Sequence, residues 1–419
     1  MPSLIAGRRV PRALVARSVL LLVIAAPSLA AQERLLGAWS ASTGAFFENW
    51  SLPTAVGTTT AGGGLAFVTG ASQLTIPIAA VVPIVPGWTI DAYSAWVRGE
   101  VRLASPDNQN RTRYRLDGPA DSRVRLVGQL IGESLLLTAG VTAPSGVTKL
   151  DGEQLNALSV LASPALRFRT PFLGAGAGAV IGLILARPIG GWGMALGSSY
   201  EARGTYAPAE AQQAGANSTD LRPGNAAHFT LAAERLIGST RHLLSFGGDI
   251  YQSGELRNQG AAVQNSTLAL GPSVSGSYQL DAALGTFETT IFVVGRRRAE
   301  YKLGGEPVLG SSRTEVESGA QAYRALSSTA AVRFALDGRV HSAGTIAGAT
   351  VSANSETAQV GFATAGVTAG GGTLAIRLGK TTGLSIEPFA RAQVGRLDFG
   401  STTRTATGLS GGATLSARF

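Results

Sequence analysis

Several long stretches of this chain alternate strictly between apolar and polar residues. Charged residues occupy every second position within 97–103, and similar alternation runs through 123–130, 268–280, 330–341 and 411–419. Successive side chains of a β-strand point to opposite faces of the sheet, so a period of two predicts strands with one apolar and one polar face. The chain is therefore predicted to be all-β.

The lengths of these stretches and the charges on their polar faces favour a transmembrane antiparallel β-barrel over a soluble sandwich. Many stretches have roughly ten residues or more, as strands that cross a bilayer do. The polar faces carry charges of both signs, which suits a water-filled lumen. The candidate lumen-facing residues are Arg98, Glu100, Arg102, Arg123, Arg125, Arg333, Asp337 and Arg339.

The number of alternating segments predicts about 14 strands, within a range of about 12–16, because bacterial single-chain barrels have even strand numbers. Composition supports a membrane location, since charged residues make up only 15% of the chain, against about 25% in soluble domains. A spanning helix needs a run of about 18 apolar residues, and the sequence beyond position 30 contains no such run. In lipid, only helices and closed barrels satisfy their own backbone groups. The predicted location is the bacterial outer membrane, with lipid and lipopolysaccharide as surroundings.

Residues 1–30 have the features of a cleavable signal peptide. An apolar run at 19–26 follows a basic region without acids, and small residues precede a cleavage site after Ala30. An uncleaved anchor is the alternative, but the run is short for a span. The basic region holds Arg8, Arg9, Arg12 and Arg17. Without these four, 31 basic residues face 26 acidic ones, and a balance of about +5 is too small and dispersed to indicate nucleic-acid binding.

The mature chain, 31–419, is predicted to form the barrel. Its last alternating strand ends in Phe419. A terminal aromatic residue on such a strand resembles the signal by which the barrel-assembly machinery recognises its clients. Phe419 is therefore the candidate assembly signal, and this machinery is a predicted partner. At the other end, 31–70 is interpreted as a plug or as a periplasmic N-terminal segment.

One segment, 143–166, has helical rather than strand periodicity. Asp151 is a suitable N-cap residue, and Leu155, Leu158 and Leu161 recur at helical spacing. We interpret the segment as a loop with a short amphipathic helix that folds into the mouth or lumen. An outward surface helix is the alternative. The three leucines are the candidate constriction of the path.

The stretch 117–168 resembles a family of outer-membrane barrels from the meta-pathway of phenol degradation, which are in turn similar to long-chain fatty-acid transporters of the FadL type. The likeness lies in an Asp-Ser at 121–122 ahead of a strand, a second strand, a Pro-Ser-Gly at 144–146 and a loop helix. It implies a barrel of about 14 strands that passes hydrophobic or aromatic molecules. The family tends to have Pro-Thr-Gly in place of Pro-Ser-Gly, and no functional residue carries over.

Candidate chemistry is sparse. The chain has no cysteine, and His228, His242 and His341 are too far apart in sequence to suggest a metal pair. No serine lies in a G-x-S-x-G elbow. A G-x-G-x-x-A at 174–179 lacks the strand and helix context of a dinucleotide site. The sequence therefore predicts no enzyme, no cofactor and no metal site.

Two classes of function remain. The first is a channel or transporter that passes small hydrophobic or amphipathic molecules, with the leucine face of the loop helix as a low-affinity site for such a ligand. The second comprises a general porin and a structural or adhesion barrel without transport. The sequence leaves the substrate, the direction of transport and the oligomeric state open.

Deleting Phe419 is predicted to slow or abolish insertion into the outer membrane without impairing export, because the last strand is the expected recognition element. Pulse-chase fractionation of periplasm and outer membrane measures this. Replacing Phe419 by Tyr keeps an aromatic end and serves as the control. A deletion variant that inserts at the normal rate and yield would contradict the assigned role.

Overall fold

The structure is a computed structural model that describes residues 39–59, 65–104, 111–131, 134–163, 166–170, 173–207, 219–258, 266–308, 311–342, 350–353, 356–359, 366–380, 382–398 and 403–419. The predicted signal peptide, 1–30, lies outside the described residues.

The described chain forms strands almost throughout, with one helix. No helix among the described residues is long and apolar enough to cross a membrane. In chain order the elements are β1 (Ser40–Thr59), β2 (Leu65–Val85), β3 (Trp88–Ala104), β4 (Arg111–Pro119), β5 (Ser122–Ile131), β6 (Leu135–Ala143), α1 (Gly152–Leu161), β7 (Gly178–Ile189), β8 (Trp192–Arg203), β9 (Thr219–Arg222), β10 (Ala226–Ile237), β11 (Thr240–Tyr251), β12 (Ser253–Asn258), β13 (Ser266–Ala269), β14 (Ser273–Leu284), β15 (Phe287–Arg298), β16 (Lys302–Leu303), β17 (Glu306–Pro307), β18 (Arg313–Ser327), β19 (Ala330–Ser342), β20 (Thr350–Ala353), β21 (Glu356–Gln359), β22 (Gly366–Gly379), β23 (Gly383–Asp398) and β24 (Thr403–Arg418).

Sixteen strand positions close into an antiparallel barrel. The first strand, β1, pairs with β2 on one side and with the last strand, β24, on the other, which joins the two ends of the sheet. Two strands, β4 and β5, pair one after the other with β3 and share a single position in the barrel. The predicted fold class is confirmed. The strand number lies at the upper end of the predicted range and exceeds the preferred number by two.

The two ends of the barrel differ in the length of their connections. At one end the turns are short, such as Gly190-Gly191 between β7 and β8, where both residues have positive φ (56° and 83°). Glycine adopts this conformation without the penalty that other residues incur. Ser40 and Arg418, near the two ends of the chain, pair at this same end. Short turns and both termini mark the periplasmic end of such barrels, and long connections mark the extracellular end.

The long connections at the extracellular end carry two small sheets. One has the order β17-β16-β13-β12-β9, and the other pairs β20 with β21. The five-stranded sheet stands on the side of the barrel formed by β8 to β18, because its strands lie in the connections between these barrel strands. This part of the wall therefore extends beyond the barrel proper.

The outer face of the barrel is apolar. Leu336 and Leu409, for example, are 69% and 65% exposed. Three strands begin directly after a short turn with an outward aromatic residue, namely Trp88, Trp192 and Phe287. An apolar band with an aromatic girdle is the surface that lipid requires of a barrel.

The interpretation of 31–70 as a plug or periplasmic segment is wrong for its described part, because 40–59 and 65–70 belong to β1 and β2. The stretch does not show clean alternation, since part of its inner face is apolar as well. Trp50 and Leu52 point inward and are each 2% exposed, whereas Phe47 on the outer face is 50% exposed. A strand that is apolar on both faces lacks the period of two.

Replacing Phe334 by Arg is predicted to lower the free energy of unfolding by about 2–4 kcal/mol, because Phe334 lies in the lipid-facing band. Ser277→Arg, on the inner face of β14, is the matched control and is expected to have a much smaller effect. Urea unfolding in lipid vesicles measures both. Equal destabilisation by the two substitutions would show that the assigned faces are wrong.

Candidate functional site

The described residues of the connection between β6 and β7, namely 144–163, 166–170 and 173–177, fold into the lumen, and we call them the inserted segment. Its helix, α1, begins after the N-cap that the sequence predicts. The Asp151 carboxylate accepts a hydrogen bond from the backbone N–H of Gln154 at 2.8 Å, and the Gln154 side chain accepts one from the backbone N–H of Asp151 at 3.1 Å. This capping box satisfies two N–H groups that a helix start leaves unpaired.

The inserted segment packs against the inner wall at β1–β4 and forms an apolar core there. Leu161 of α1 is 1% exposed and lies over Gly99 of β3, where an added Cβ would overlap a leucine methyl group. Fully burying one such side chain contributes about 1.5–3 kcal/mol. Other members of this core are Leu52, Val68, Ala71, Val97, Val101, Leu103, Leu116, Leu155, Val160, Val367 and Leu397.

The three predicted constriction residues therefore face the wall and not the path. Leu155 and Leu161 are buried, and Leu158 is partly buried against the same core. Their apolar surface already contacts the barrel, so it offers no site to a passing hydrophobic molecule. The helical spacing predicts an apolar face, but it does not say whether protein or solute covers that face.

Asp121, between β4 and β5, holds the two ends of the inserted segment together. Its Oδ1 accepts a hydrogen bond from the N–H of Gly146 at 2.9 Å, and its Oδ2 accepts one from the N–H of Ala175 at 2.7 Å. The backbone N–H of Asp121 donates to the carbonyl oxygen of Leu173 at 2.8 Å. Hydrogen bonds to a charged group stabilise by about 1.5–3 kcal/mol each. We call this arrangement the Asp121 clamp.

A pair of serines extends the Asp121 clamp. The Oγ of Ser145 accepts from the N–H of Ser122 at 2.9 Å and donates to the carbonyl oxygen of Ala120 at 3.3 Å. The Asp-Ser and Pro-Ser-Gly that carry the family resemblance thus meet in space. Tyr206 covers the far end of the segment at Gly176, and burial, followed by the negative charge of Asp121, raises the pKa of this tyrosine.

Beyond the helix the inserted segment crosses the lumen. Arg167 contacts Glu317 of β18 at 2.5 Å, on the side of the barrel opposite β3. Arg167 has a positive φ of 52°, and it is the sole residue other than glycine with this conformation in the described chain. Such a conformation costs about 1–3 kcal/mol and persists where the surrounding structure enforces it. Here it directs the guanidinium away from the apolar core and into the open lumen.

Hydrogen bonds to β1 and β2 fix the segment on both sides of Arg167. The indole Nε1 of Trp50 donates to the carbonyl oxygen of Leu166 at 2.9 Å. The Gln73 side chain donates to the carbonyl oxygen of Thr170 at 2.7 Å and accepts from its N–H at 3.0 Å. These contacts fasten the segment to the wall on both sides of Arg167.

A further contact to β1 follows at Arg169. Its backbone N–H donates to Glu48 at 3.0 Å, and its guanidinium carbon lies 3.8 Å from the ring centroid of Phe46. Phe46 in turn packs against Phe389 of β23, with ring centroids 5.6 Å apart. The return of the segment toward the wall is therefore supported by charge and by aromatic packing.

The remaining open side of the lumen is lined by ion pairs that bridge β19 and β23 across β22. Arg391 binds Asp337 through both Nη atoms, at 2.5 and 2.7 Å, and Arg333 contacts Glu387 at 2.5 Å. Arg339 lies on the same face, with its guanidinium carbon 6.0 Å from the Trp50 ring centroid. The structure thus places the predicted residues Arg333, Asp337 and Arg339 on the inner face of β19.

A pocket of about 300 Å³ lies between these ion pairs and the inserted segment. Its lining includes Arg167, Arg339, Arg391, Glu48, Glu317 and Phe292. We call this pocket the eyelet. Its volume is at the small end of ligand sites, which run from about 300 to 1,000 Å³. Charges of both signs and one aromatic ring therefore meet in this pocket.

The two predicted arginines of β5 also lie on the inner face. Arg125 contacts Asp91 of β3 at 2.7 Å, and Arg123 lies two residues earlier on the same face. Val124 between them is 45% exposed on the outer face.

The prediction that Arg98, Glu100 and Arg102 face the lumen is wrong. The alternate residues of β3 pack against α1, so these three point outward. Arg102 donates to the side chain of Asn49 at 2.8 Å, and Arg113 lies 3.6 Å from Glu100 on the outer surface. Here the inserted segment makes the inside of the barrel apolar, while the outside carries charged, exposed side chains. The usual relation between polarity and face is therefore inverted.

The inner wall also carries a histidine, carboxylate and serine cluster. The Nδ1 of His228 lies 2.8 Å from Asp249, and the Ser273 hydroxyl donates to the same carboxylate. Because the serine binds the carboxylate and not the imidazole, the cluster lacks the hydrogen-bonded nucleophile and base of covalent catalysis. No group of three or more histidine, cysteine or acidic side chains that could hold a metal ion occurs among the described residues.

Sequence reasoning missed most of the residues that shape the eyelet. Glu48 and Arg167 gave no local signal, because they meet the other lining residues only through the path of the inserted segment. Asp121 carried a usable signal, since a lone acid between two strands is well placed to bind backbone N–H groups. The polar faces of β18 and β23 alternate cleanly and would have identified Glu317 and Arg391 as inner residues.

Replacing Asp121 by Ala is predicted to loosen the inserted segment, because it removes the part-buried hydrogen bonds that the carboxylate accepts from the N–H groups of Gly146 and Ala175. Hydrogen exchange at Gly146 and Ala175 should accelerate while exchange in β10–β15 stays slow. Asp117→Ala, an exposed acid at the end of β4, is the control. Unchanged protection at Gly146 and Ala175 would exclude the clamp.

Comparisons with known proteins find likeness at the level of structure only. No family model and no curated protein matches the chain. The COG4313 outer membrane channel from Pseudomonas putida F1 matches at 9% identity and a TM-score of 0.36, over 92% of this chain and 96% of that one. OccK11 (OpdR) of Pseudomonas aeruginosa matches at 11% and 0.40, over 91% and 96%. A bacterial polysaccharide outer membrane secretin matches at 10% and 0.41, over 90% and 98%.

Similarities this low carry no information about a substrate, which has to be inferred from the geometry of the lumen. A closed sheet and an apolar outer face with an aromatic girdle are the features of a transmembrane β-barrel. The chain is a bacterial outer-membrane β-barrel with a segment inserted into its lumen.

Proposed function

We propose that this protein is a passive outer-membrane channel for small amphipathic molecules, with the eyelet as its narrowest point. One observation carries the proposal. Arg167 of the inserted segment reaches Glu317 across the lumen, while a pocket of about 300 Å³ stays open beside the contact. A segment that only stabilised the wall would not need an arginine with positive φ that extends into the open lumen.

The width of the barrel supports this reading. A barrel of roughly 16 strands is too wide for its own side chains to fill and leaves an aqueous channel. The inserted segment fills the side next to β1–β4, so solutes would pass along the side formed by β15–β23. That side presents the ion pairs of Arg391 and Arg333 together with the ring of Phe292.

The chemistry of the eyelet favours amphipathic solutes over purely hydrophobic ones. The charged groups on its lining keep water in the path, and Phe292 offers one apolar surface. Leu155, Leu158 and Leu161 cannot serve a hydrophobic molecule, since they face the wall. A general porin is the second candidate, because charges of both signs at the narrow point suit many small polar solutes.

A thiol placed at Arg167 tests the channel directly, because the chain has no cysteine of its own. We predict that a cationic methanethiosulfonate reagent reduces the single-channel current of Arg167→Cys by more than half. The physical reason is that the added group occupies the eyelet. Planar-bilayer recording before and after the reagent measures this effect.

Arg113→Cys, an exposed position on the outer face of β4, is the matched control. Mass spectrometry should show that it is labelled, and its current should not change. Labelled Arg167→Cys with an unaltered current would place the path elsewhere. A wild-type protein that inserts without forming pores would exclude a channel and leave a structural barrel.

A further inference from the structure

A group of arginines lies above the eyelet, on the inner face near the extracellular end. Arg298 of β15 and Arg313 of β18 are direct cross-strand partners. Burial lowers the pKa of Arg313, which is lowered further by the positive charges of Arg298, Arg296, Arg167 and Arg339. We call Arg167, Arg296, Arg298, Arg313 and Arg339 the arginine cluster.

Carboxylates offset only part of this charge. Asp249 contacts Arg296 at 2.8 Å, and Glu315 contacts Arg313. The third acid, Glu317, contacts Arg167. Arg167, Arg296 and Arg313 thus each contact one carboxylate, and Arg298 adds a further positive charge directly opposite Arg313.

Arg298 has no carboxylate among its described contacts. Its Nη2 donates to the hydroxyl of Tyr251 at 3.5 Å, and its guanidinium carbon lies 5.6 Å from the centroid of that ring. Its Nε is buried without a hydrogen-bond partner. A buried donor without a partner is costly, and like charges directly opposite on one face of a sheet are destabilising. Arg298 therefore has both a buried donor without a partner and an unfavourable contact with a like charge.

We propose that the arginine cluster binds small oxyanions and makes the channel anion-selective. An oxyanion between Arg298 and Arg313 would accept the free Nε–H and neutralise the opposed charges. Guanidinium groups bind carboxylate and phosphate through paired hydrogen bonds, and rings of arginine select anions in pores. The site leads into the eyelet, since Arg167 and Arg339 belong to both.

This inference rests on the proposed channel for its selectivity, whereas anion binding can be measured without it. The test uses the full chain in detergent at low ionic strength, because salt screens such interactions. Calorimetric titration with succinate and, separately, with inorganic phosphate distinguishes the two kinds of oxyanion. Reversal potentials in a potassium chloride gradient measure selectivity.

Arg298→Gln should weaken binding roughly tenfold or more and shift the reversal potential toward zero. It should also unfold no more readily than wild type, because it removes a like-charge contact. Arg297→Gln, the next residue and on the outer face, is the matched control and should change neither measurement.

The two proposals fail in different ways. Pores that conduct without anion preference, in a protein that binds neither succinate nor phosphate, would overturn the oxyanion site and leave the channel. Binding of either anion that Arg298→Gln abolishes, in a protein that forms no pores, would support the site and overturn the channel. Equal binding by Arg298→Gln and wild type would overturn the site.

Discussion

Closure of the sheet is the constraint on which the rest of the molecule depends. A strand edge in lipid has no water to satisfy its backbone groups, so the first and last strands must pair, as β1 and β24 do along most of their length. A closed sheet of this size encloses more space than side chains projecting from its wall can fill. The inserted segment fills part of this space. Because it packs against β1–β4, it leaves the opposite side of the lumen open.

The inserted segment also explains where the alternation pattern fails. Alternation identifies two faces of a strand but not which one meets lipid. At Arg333, Asp337 and Arg339 the polar face is the inner one, as it is where the lumen is wet. At Arg98, Glu100 and Arg102 the inside is an apolar core and the outside is polar, so the same pattern has the opposite meaning. The period-of-two signal cannot distinguish these cases, because the difference lies in a segment fifty or more residues away in the sequence.

Local sequence patterns are equally limited in predicting the residues of the eyelet. The helix and its N-cap at Asp151 depend on local spacing and were predictable, as were the barrel and its approximate strand number. The pairing of Arg167 with Glu317, separated by 150 positions, depends on the three-dimensional path of the chain. Asp121 is an intermediate case, since its partners Gly146 and Ala175 lie 25 and 54 positions away and its neighbour Ser122 belongs to the stretch that carries the family resemblance. Local signals thus identify the scaffold, and the narrow passage requires the fold.

The contacts of the inserted segment differ widely in the length of chain that they enclose. The Asp121 clamp closes 25 residues at Gly146, whereas Trp50 meets Leu166 across 116 and Arg167 meets Glu317 across 150. Because loop closure grows more costly with length and distant contacts form late, the segment can be anchored long before the passage narrows. The pairing of Ser40 with Arg418, which closes the wall, encloses a longer stretch than either contact, so the same argument places closure of the barrel after both.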